Sequence, residues 1–504
     1  MAHIPSAIPS SSIPSSARTA RWRCFFMAAA ALQLSACGGG DEAAIQTAVG
    51  GAAPGLAVAA NCDTQVNDTQ EKLLACVTLP GVRAHQAALA EIAQANGGTR
   101  LAGSAGFDAS VAYARQVLTD AGYRVSVQPF AFSASRTLGS ILLEPGQAAA
   151  EPIAHQVVDY SGSGDVTAPV TRPSDPDGCA ASDFAGFVRG HIALIRRGGC
   201  DLPDKLSHAV AAGASGVVIY SQDEGDLTAT LTSEAPQDIP VVMVGKAVGE
   251  QLAQRTLTGV QLHLRTETER SLQTAYNVLA ESTGGDPQHV TMLGAHLDSV
   301  RAGAGLNDNG SGAAAVLETA RQMARVQPVN QLRFALWGAE EQGLLGSTYY
   351  VKKLDTAQRA KIALYLNFDM IGSPNHVFFV YGGDGSAGSQ AISSPARSAG
   401  IVATLGDFYT RRQLPFKRLD SGSRSDHKPF ADVGIAFGGI FTGAEGIKTA
   451  QEAQTWGGTA GQAYDPCYHR ACDNMANNND AALQTNAHAV ASSALFFAMN
   501  RLPG

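Results

Sequence analysis

Apolar residues recur along this chain with two different periods. Between about 68 and 95 they fall at helical spacing, with Leu73, Leu74, Val77, Leu89 and Ile92 among them. The Gly-rich stretch 96–108 reads as a turn region. Its last residue, Asp108, is placed to cap a helix over 109–121 that Gly122 stops. Residues 123–132 alternate like a half-buried strand. From about 140 prolines and acidic residues enter, with short apolar runs at 192–195, 216–220 and 239–244. A helical pattern at 204–214 lies between the first two runs. From about 270 strand-like and helix-like segments alternate. Strands are expected at TAYNVLAES, HVTMLGAHLDSV, 331–340, IALYLNFDMIG and NHVFFVYGG, and helices at 310–326, 346–354 and 480–500. This alternation predicts an α/β fold, with a central, mostly parallel mixed sheet flanked by helices.

The composition, 45% apolar and 16% charged over 504 residues, is that of a globular chain long enough for a large core and a second unit. A net charge of −8 counts against nucleic acid as the main partner. At the N-terminus, Arg18, Arg21 and Arg23 precede a short apolar run, Phe25 to Leu34, which leads into Ser35-Ala36-Cys37. The run is too short to span a bilayer as a mature helix. The pattern resembles a bacterial lipoprotein signal over 1–37, with Cys37 as the lipidated residue and 38–61 as an Ala/Gly-rich tether. It predicts an exported protein, secreted or held at the cell envelope only through that anchor.

Cysteine usage agrees with export. Apart from Cys24 and Cys37, six cysteines remain, an even number that reads as disulfides. Sequence alone leaves many pairings open. The nearest-neighbour choice is Cys62–Cys76, Cys179–Cys200 and Cys467–Cys472, and the last pair would fix His469 between its ends. No CxxC spacing is present to favour a zinc-binding cysteine set.

Candidate chemistry concentrates in five stretches: GAHLDSV (294–300), GLNDNGSG (305–312), WGAEEQG (337–343), NFDMIG (367–372) and DPCYHRACD (465–473). They supply His296, Asp308, Glu340, Glu341, Asp369 and His469. Two histidines with several carboxylates suit zinc better than calcium or magnesium. Several of these residues follow predicted strands, where active sites of parallel sheets lie. A pair of metals needs one bridging carboxylate, with one His and one further carboxylate on each ion. A carboxylate that is not a ligand must then move the proton of a metal-bridging hydroxide. The adjacent Glu340 and Glu341 fit that division, one on water and one on metal. Asp298 is placed either to orient the His296 ring from outside the metal shell or to bond backbone. Asn307, Asn309 and Gly310 permit an unusual backbone around Asp308.

Two resemblances follow from these residues. The segment RGHIALIRRGGCDLPDKLSHAVAAGASGVVIYS, with Arg196-Arg197-Gly198, Cys200, Lys205 and Gly213, looks like a small β-rich protease-associated (PA) domain. It is expected as an insertion over 139–265, dividing a zinc peptidase domain into 62–138 and 266–502. The motifs HLDS, GxNDNGSG, WGAEExGLLGS, NFDMIGSP, RSDHKPF, FTGAEG and DPCYHxxCD are similar to those of the secreted bacterial di-zinc leucine aminopeptidases.

The second resemblance implies two Zn²⁺ per chain. His296 and Asp369 would hold one, Glu341 and His469 the other, with Asp308 as the bridge. It implies Glu340 as general base, Tyr468 as oxyanion donor and Arg424 near the substrate's amino end. Met370 and Phe441 are candidates for an apolar side-chain pocket, and His427 reads as a supporting residue. The implied protein is a monomer that removes N-terminal residues, large apolar ones such as leucine, from peptides outside the cytoplasm. Competing readings are a carboxypeptidase using Arg411, Arg412, Lys417 and Arg418, a single-zinc glutaminyl cyclase, and a peptide-binding surface lipoprotein.

Overall fold

In the computed structural model, the described residues are 61–146, 151–222, 231, 239–385, 395–419, 422 and 424–501. The expected signal, the lipidation site Cys37 and all of the tether except Asn61 lie outside them. Contacts divide the chain into Met1–Ala57 and Val58–Gly504, and the described residues belong to the second unit.

The strands, in chain order, are β1 (Arg124–Leu143), β2 (His155–Val157), β3 (Gly164–Thr171), β4 (Ile192–Arg196), β5 (Gly216–Tyr220), β6 (Val241–Val244), β7 (Gln261–Glu281), β8 (Asp286–His296), β9 (Asn330–Trp337), β10 (Ile362–Phe368), β11 (Phe379–Gly382), β12 (Lys417–Arg418) and β13 (Phe437–Phe441). Their order is β12-β11-β13-β10-β8-β9-β7-β3-β4-β5-β6-β2, with β1 paired to β7. The long antiparallel β1–β7 ribbon joins two regions. One end of β7 pairs with β9 and the other with β3.

In the larger region β13, β10, β8 and β9 run parallel. These strands are apolar on both faces. On β9, Leu332, Phe334 and Leu336 enter one core, and Ala335 and Trp337 the other. On β10 the same split puts Leu364, Leu366 and Phe368 against Tyr365, while Ile362, beyond the register shift before Leu364, joins the second core. Period-2 alternation between two cores is what a parallel sheet covered on both sides requires. Gly294 in β8 has a packing reason: a Cβ there would stand 2.5 Å from the Tyr365 hydroxyl and 2.7 Å from Trp337 Nε1.

The smaller region repeats this plan around parallel β3–β6. Ile192, Leu194 and Val218 face one cluster, and Ala193, Ile195 and Ile219 the opposite one. The helices Leu202–Ala212 and Lys246–Arg255 contribute to these clusters through Leu206 and Leu252.

Two local expectations are corrected. The stretch 68–95 forms two helices, Gln70–Cys76 and Leu79–Ala95. Thr78 caps the second by accepting from the Gly81 amide, and Pro80 in the first turn needs no amide partner. The helix Ala105–Asp120 is capped by Ser104, which accepts from the Phe107 amide, and Asp108 sits inside the first turn.

Candidate metal centre

Topology assembles the site. Because β8, β9 and β10 are parallel, the residues that follow them share one edge of the sheet. His296 closes β8, Glu340 and Glu341 follow β9 by three and four residues, and Asp369 follows β10 directly. Asp308 lies just before the helix Gly310–Met323 and so near the positive end of its dipole. Asn309 caps that helix through Gly312 N–H. Its Oδ1 also accepts from Met370 N–H, and its Nδ2 donates to the Phe368 carbonyl. The Asp308 and Asp369 loops are thus tied together. The Asp308–Asn309 peptide is cis.

Asp308 divides its carboxylate. Oδ1 is 3.1 Å from His296 Nε2, and Oδ2 is 3.1 Å from His469 Nε2. Asp369 Oδ1 lies 3.4 Å from His296 Nε2, and Glu341 Oε2 lies 3.1 Å from His469 Nε2. Two sets result, His296–Asp308–Asp369 and Asp308–Glu341–His469. In each, one donor atom per residue lies within 4.8 Å of the others.

The electrostatics call for cations. Asp369 Oδ1 and Glu341 Oε1 are buried without a hydrogen-bond donor. Burial pushes the Glu340 carboxyl well above the usual range, and Asp426, Asp369 and Glu341 push it further against the pull of His296. Burial also raises Glu341. For His296, burial works against the imidazolium, but Asp369, Glu340 and Asp308 outweigh it and raise its pKa. For His469 the same opposition is won by Glu341 and Asp308. Buried carboxylates this close are stable only with positive charge among them. Two imidazoles and three carboxylates are a donor set that zinc fits.

Supporting residues fix the donors. Asp298 presents its backbone carbonyl, 3.2 Å from His296 Nδ1, to orient the ring. Its carboxylate, 3.8 Å from that nitrogen, instead accepts from the main-chain amides of Glu340 at 3.1 Å and Glu341 at 3.3 Å. Of the two roles open to Asp298, its carboxylate therefore takes the backbone one. Ser425 donates to Asp369 Oδ2 at 2.7 Å. Ala339, Met370 and His469, each at or next to the site, take positive φ of 55°, 49° and 56°. Such clustering is typical of functional positions.

Tyr468 stacks on His469 with ring centroids 3.8 Å apart. Cys467 and Cys472 flank this pair and are bonded, as are Cys62–Cys76 and Cys179–Cys200. Arg424 donates to Glu445 at 2.6 Å and to the Tyr468 oxygen at 3.2 Å, leaving the phenol proton to point elsewhere. Met370 is buried beside Asp369, and half-buried Phe441 packs on Phe379. His427 stacks on Phe437 and belongs to neither donor set. The basic run at 411–418 is engaged with its own surroundings: Arg411 with Asp407, Lys417 with Glu452, Arg418 with Asp384, and Arg412 over the Phe408 ring.

Several residues escaped the sequence reading. Asp473 accepts from the amides of Asn307 and Asp308 at 2.8 and 2.9 Å, holding the loop that carries Asp308. Asp465 accepts from Asn307 Nδ2 and Cys467 N–H. These two carboxylates are the first and last residues of DPCYHRACD, so their bracketing of Tyr-His was the available signal. Buried Arg100 donates to the carbonyls of Leu297, Ala304 and Gly305, underpinning the loop after His296. No motif marks it. Asp426, in RSDHKPF, is buried, and burial together with nearby Asp369 and Asp298 pushes its carboxyl up to about 7.

Comparison with known proteins gives concordant matches. The sequence pattern of Peptidase family M28 matches residues 277–494, and that of the PA domain matches 166–252. An aminopeptidase of Pseudomonas aeruginosa is 44% identical over 426 residues, covering 80% of this chain and 78% of that one. The probable lipoprotein aminopeptidase LpqL of Mycobacterium tuberculosis is 40% identical, covering 82% and 84%. Among solved structures, an aminopeptidase from Aneurinibacillus sp. strain AM-1 superposes with a TM-score of 0.69 at 26% identity, covering 86% of this chain and 98% of that one. BSAP, a zinc aminopeptidase from Bacillus subtilis, gives 0.60 at 26% identity, covering 82% and 94%.

Proposed function

The chain belongs to peptidase family M28, carries a PA domain and is a zinc aminopeptidase, and we propose that it works with two zinc ions bridged by Asp308. The observation that carries this reading is the division of the Asp308 carboxylate between two His–carboxylate pairs. His296 and Asp369 would hold one ion, and Glu341 and His469 the other. When bound, zinc supplies Lewis acidity: it polarises the scissile carbonyl and makes water easier to deprotonate.

The chain's own residues do the rest. Glu340 is buried beside both sets without belonging to either. It takes the proton of the attacking water at its carboxylate and returns it to the leaving amine. Tyr468 donates its free hydroxyl proton to the oxygen that becomes anionic as the carbonyl turns tetrahedral. Arg424 holds the Tyr468 oxygen in place from the far side. Asp298 fixes the Glu340–Glu341 backbone so that the two neighbours keep separate tasks. The acidic cluster favours a free α-ammonium group, which makes the enzyme act from the N-terminus.

We infer a preference for large apolar first residues, supported by Met370 next to Asp369, by Phe441 at the end of β13 alongside β10, and by relatives named as leucine aminopeptidases. Export of the protein is supported by the three disulfides among the described residues. A lipid anchor at Cys37 is supported by the relative described as a lipoprotein. Among the described residues no helix is long and apolar enough to cross a membrane. The test compares leucyl anilide with its N-acetyl form, with and without a chelator. Release from the free form alone, lost on chelation, is expected. Equal cleavage of both forms would overturn the reading.

A further inference from the structure

A tight turn in the segment expected as the PA insertion packs against the stretch that carries Glu340 and Glu341. Val158 to Ser161 is closed by the Ser161 amide donating to the Val158 carbonyl at 2.9 Å. Tyr160 in this turn takes φ of 67°, which a bulky residue rarely adopts. The payoff is a contact: its hydroxyl donates to Gln342 at 3.1 Å, and Gln342 adjoins Glu341 in sequence. Arg270 donates to the Tyr160 carbonyl and lies over its ring.

The residue before it, Asp159, is exposed. It is still enclosed enough for desolvation to raise its carboxyl, against the opposing charges of Arg301 and His469. Asp159 is thus an exposed carboxylate one residue from the Tyr160–Gln342 contact, which holds the turn against the segment carrying Glu341, and it lies in the field of His469. At a second point Arg197, also from the insertion, lies within reach of Glu445, the partner of Arg424.

These positions assign a place along a bound peptide. The proton-transfer and bridging groups Glu340 and Asp308 are buried, so the cleaved bond and the residue before it lie deep. The remainder of the peptide must lead outward, past the exposed rim. Asp159, exposed beside the Tyr160–Gln342 contact, stands where that chain would leave. Resting on the aminopeptidase reading, we propose that Asp159 is an anionic subsite for a cationic side chain on the second residue of the substrate, so that the insertion selects peptides with lysine or arginine there. Exposed Arg301 is the counter-charge. Without the Asp159 carboxylate, Arg301 repels the same side chain and attracts an acidic one.

The test measures kcat/KM for Leu-Lys-Ala, Leu-Glu-Ala and Leu-Ala-Ala with the full zinc-loaded chain. The wild type is expected to prefer Lys over Glu, and the preference is expected to shrink with added salt because the pair is exposed. Asp159→Asn should lower the Lys-to-Glu ratio by about two- to fivefold, the range of an exposed charge pair. Asp159→Glu should restore it. An unchanged ratio in Asp159→Asn overturns the subsite. So does a wild type with no Lys preference at low salt, which decides the matter even if the variant fails to fold. If the wild type cleaves none of the three peptides, the aminopeptidase reading itself falls. If it cleaves all three at salt-independent equal rates, only the subsite falls.

Discussion

Asp298 accepts the main-chain amide of Glu340 at 3.1 Å, so the segment after β8 holds the proposed general base after β9. The second oxygen of the same carboxylate accepts from Glu341. An asparagine has one acceptor oxygen and presents donor hydrogens where the other stood. Asp298→Asn should therefore displace Glu340 and Glu341 together. The expected result is a loss of roughly 10- to 100-fold in activity or metal affinity, as for other outer-shell partners. Steady-state kinetics at saturating zinc and a zinc titration would separate the two. Unchanged values in both would remove the positioning role.

Glu340→Gln keeps the size of the side chain but cannot carry the proton. Turnover should fall by about 10²–10⁴, the usual weight of a general base. Zinc content should stay at the wild-type level, because Glu340 belongs to neither donor set. Loss of zinc in this variant would mean that Glu340 is a ligand.

Tyr468→Phe removes the hydroxyl that Arg424 orients but keeps the ring stacked on His469. Its kcat should drop by roughly 10²–10³ with little change in KM, as expected when an oxyanion donor is lost. A change confined to KM would place the hydroxyl in ground-state binding instead.

Away from the site, Glu452 is a pH-dependent brace. Burial works to raise its carboxyl, but Lys417, the Thr449 amide and hydroxyl, and Tyr464 outweigh it and hold it at about 2. Because the folded pKa is depressed, the stabilisation is fully present above the unfolded carboxylate value and is lost as pH falls toward 2. Glu452→Gln should cost on the order of 1–3 kcal/mol at neutral pH. The difference from wild type should vanish at the acid end. A gap that is constant with pH in denaturant titrations would contradict this.

What could be read from the sequence divides along a physical line. Candidate ligands that end apolar strands announce themselves, because a strand run followed by His296 or Asp369 places the side chain at a predictable sheet edge. The adjacent Glu340 and Glu341 were equally readable. Residues that act through someone else's backbone were not. Asp473 works by accepting two amides of the Asp308 loop more than 160 residues earlier in the chain, and Arg100 by gathering three carbonyls. Their partners are set by tertiary folding, which periodicity does not encode. At the helix near residue 105, Ser104 and Asp108 were both competent caps, and the start of the helix decided between them.

The central claim is that Asp308 bridges two zinc ions that are needed together. Zinc per chain, measured by atomic emission on protein stripped with a chelator and reloaded stepwise, tests it alongside leucyl anilide turnover. Two zinc ions per chain are predicted, with activity returning as the second is filled, and Asp308→Ala should lose both ions. Full activity at one zinc per chain, or in stripped protein, would contradict the account.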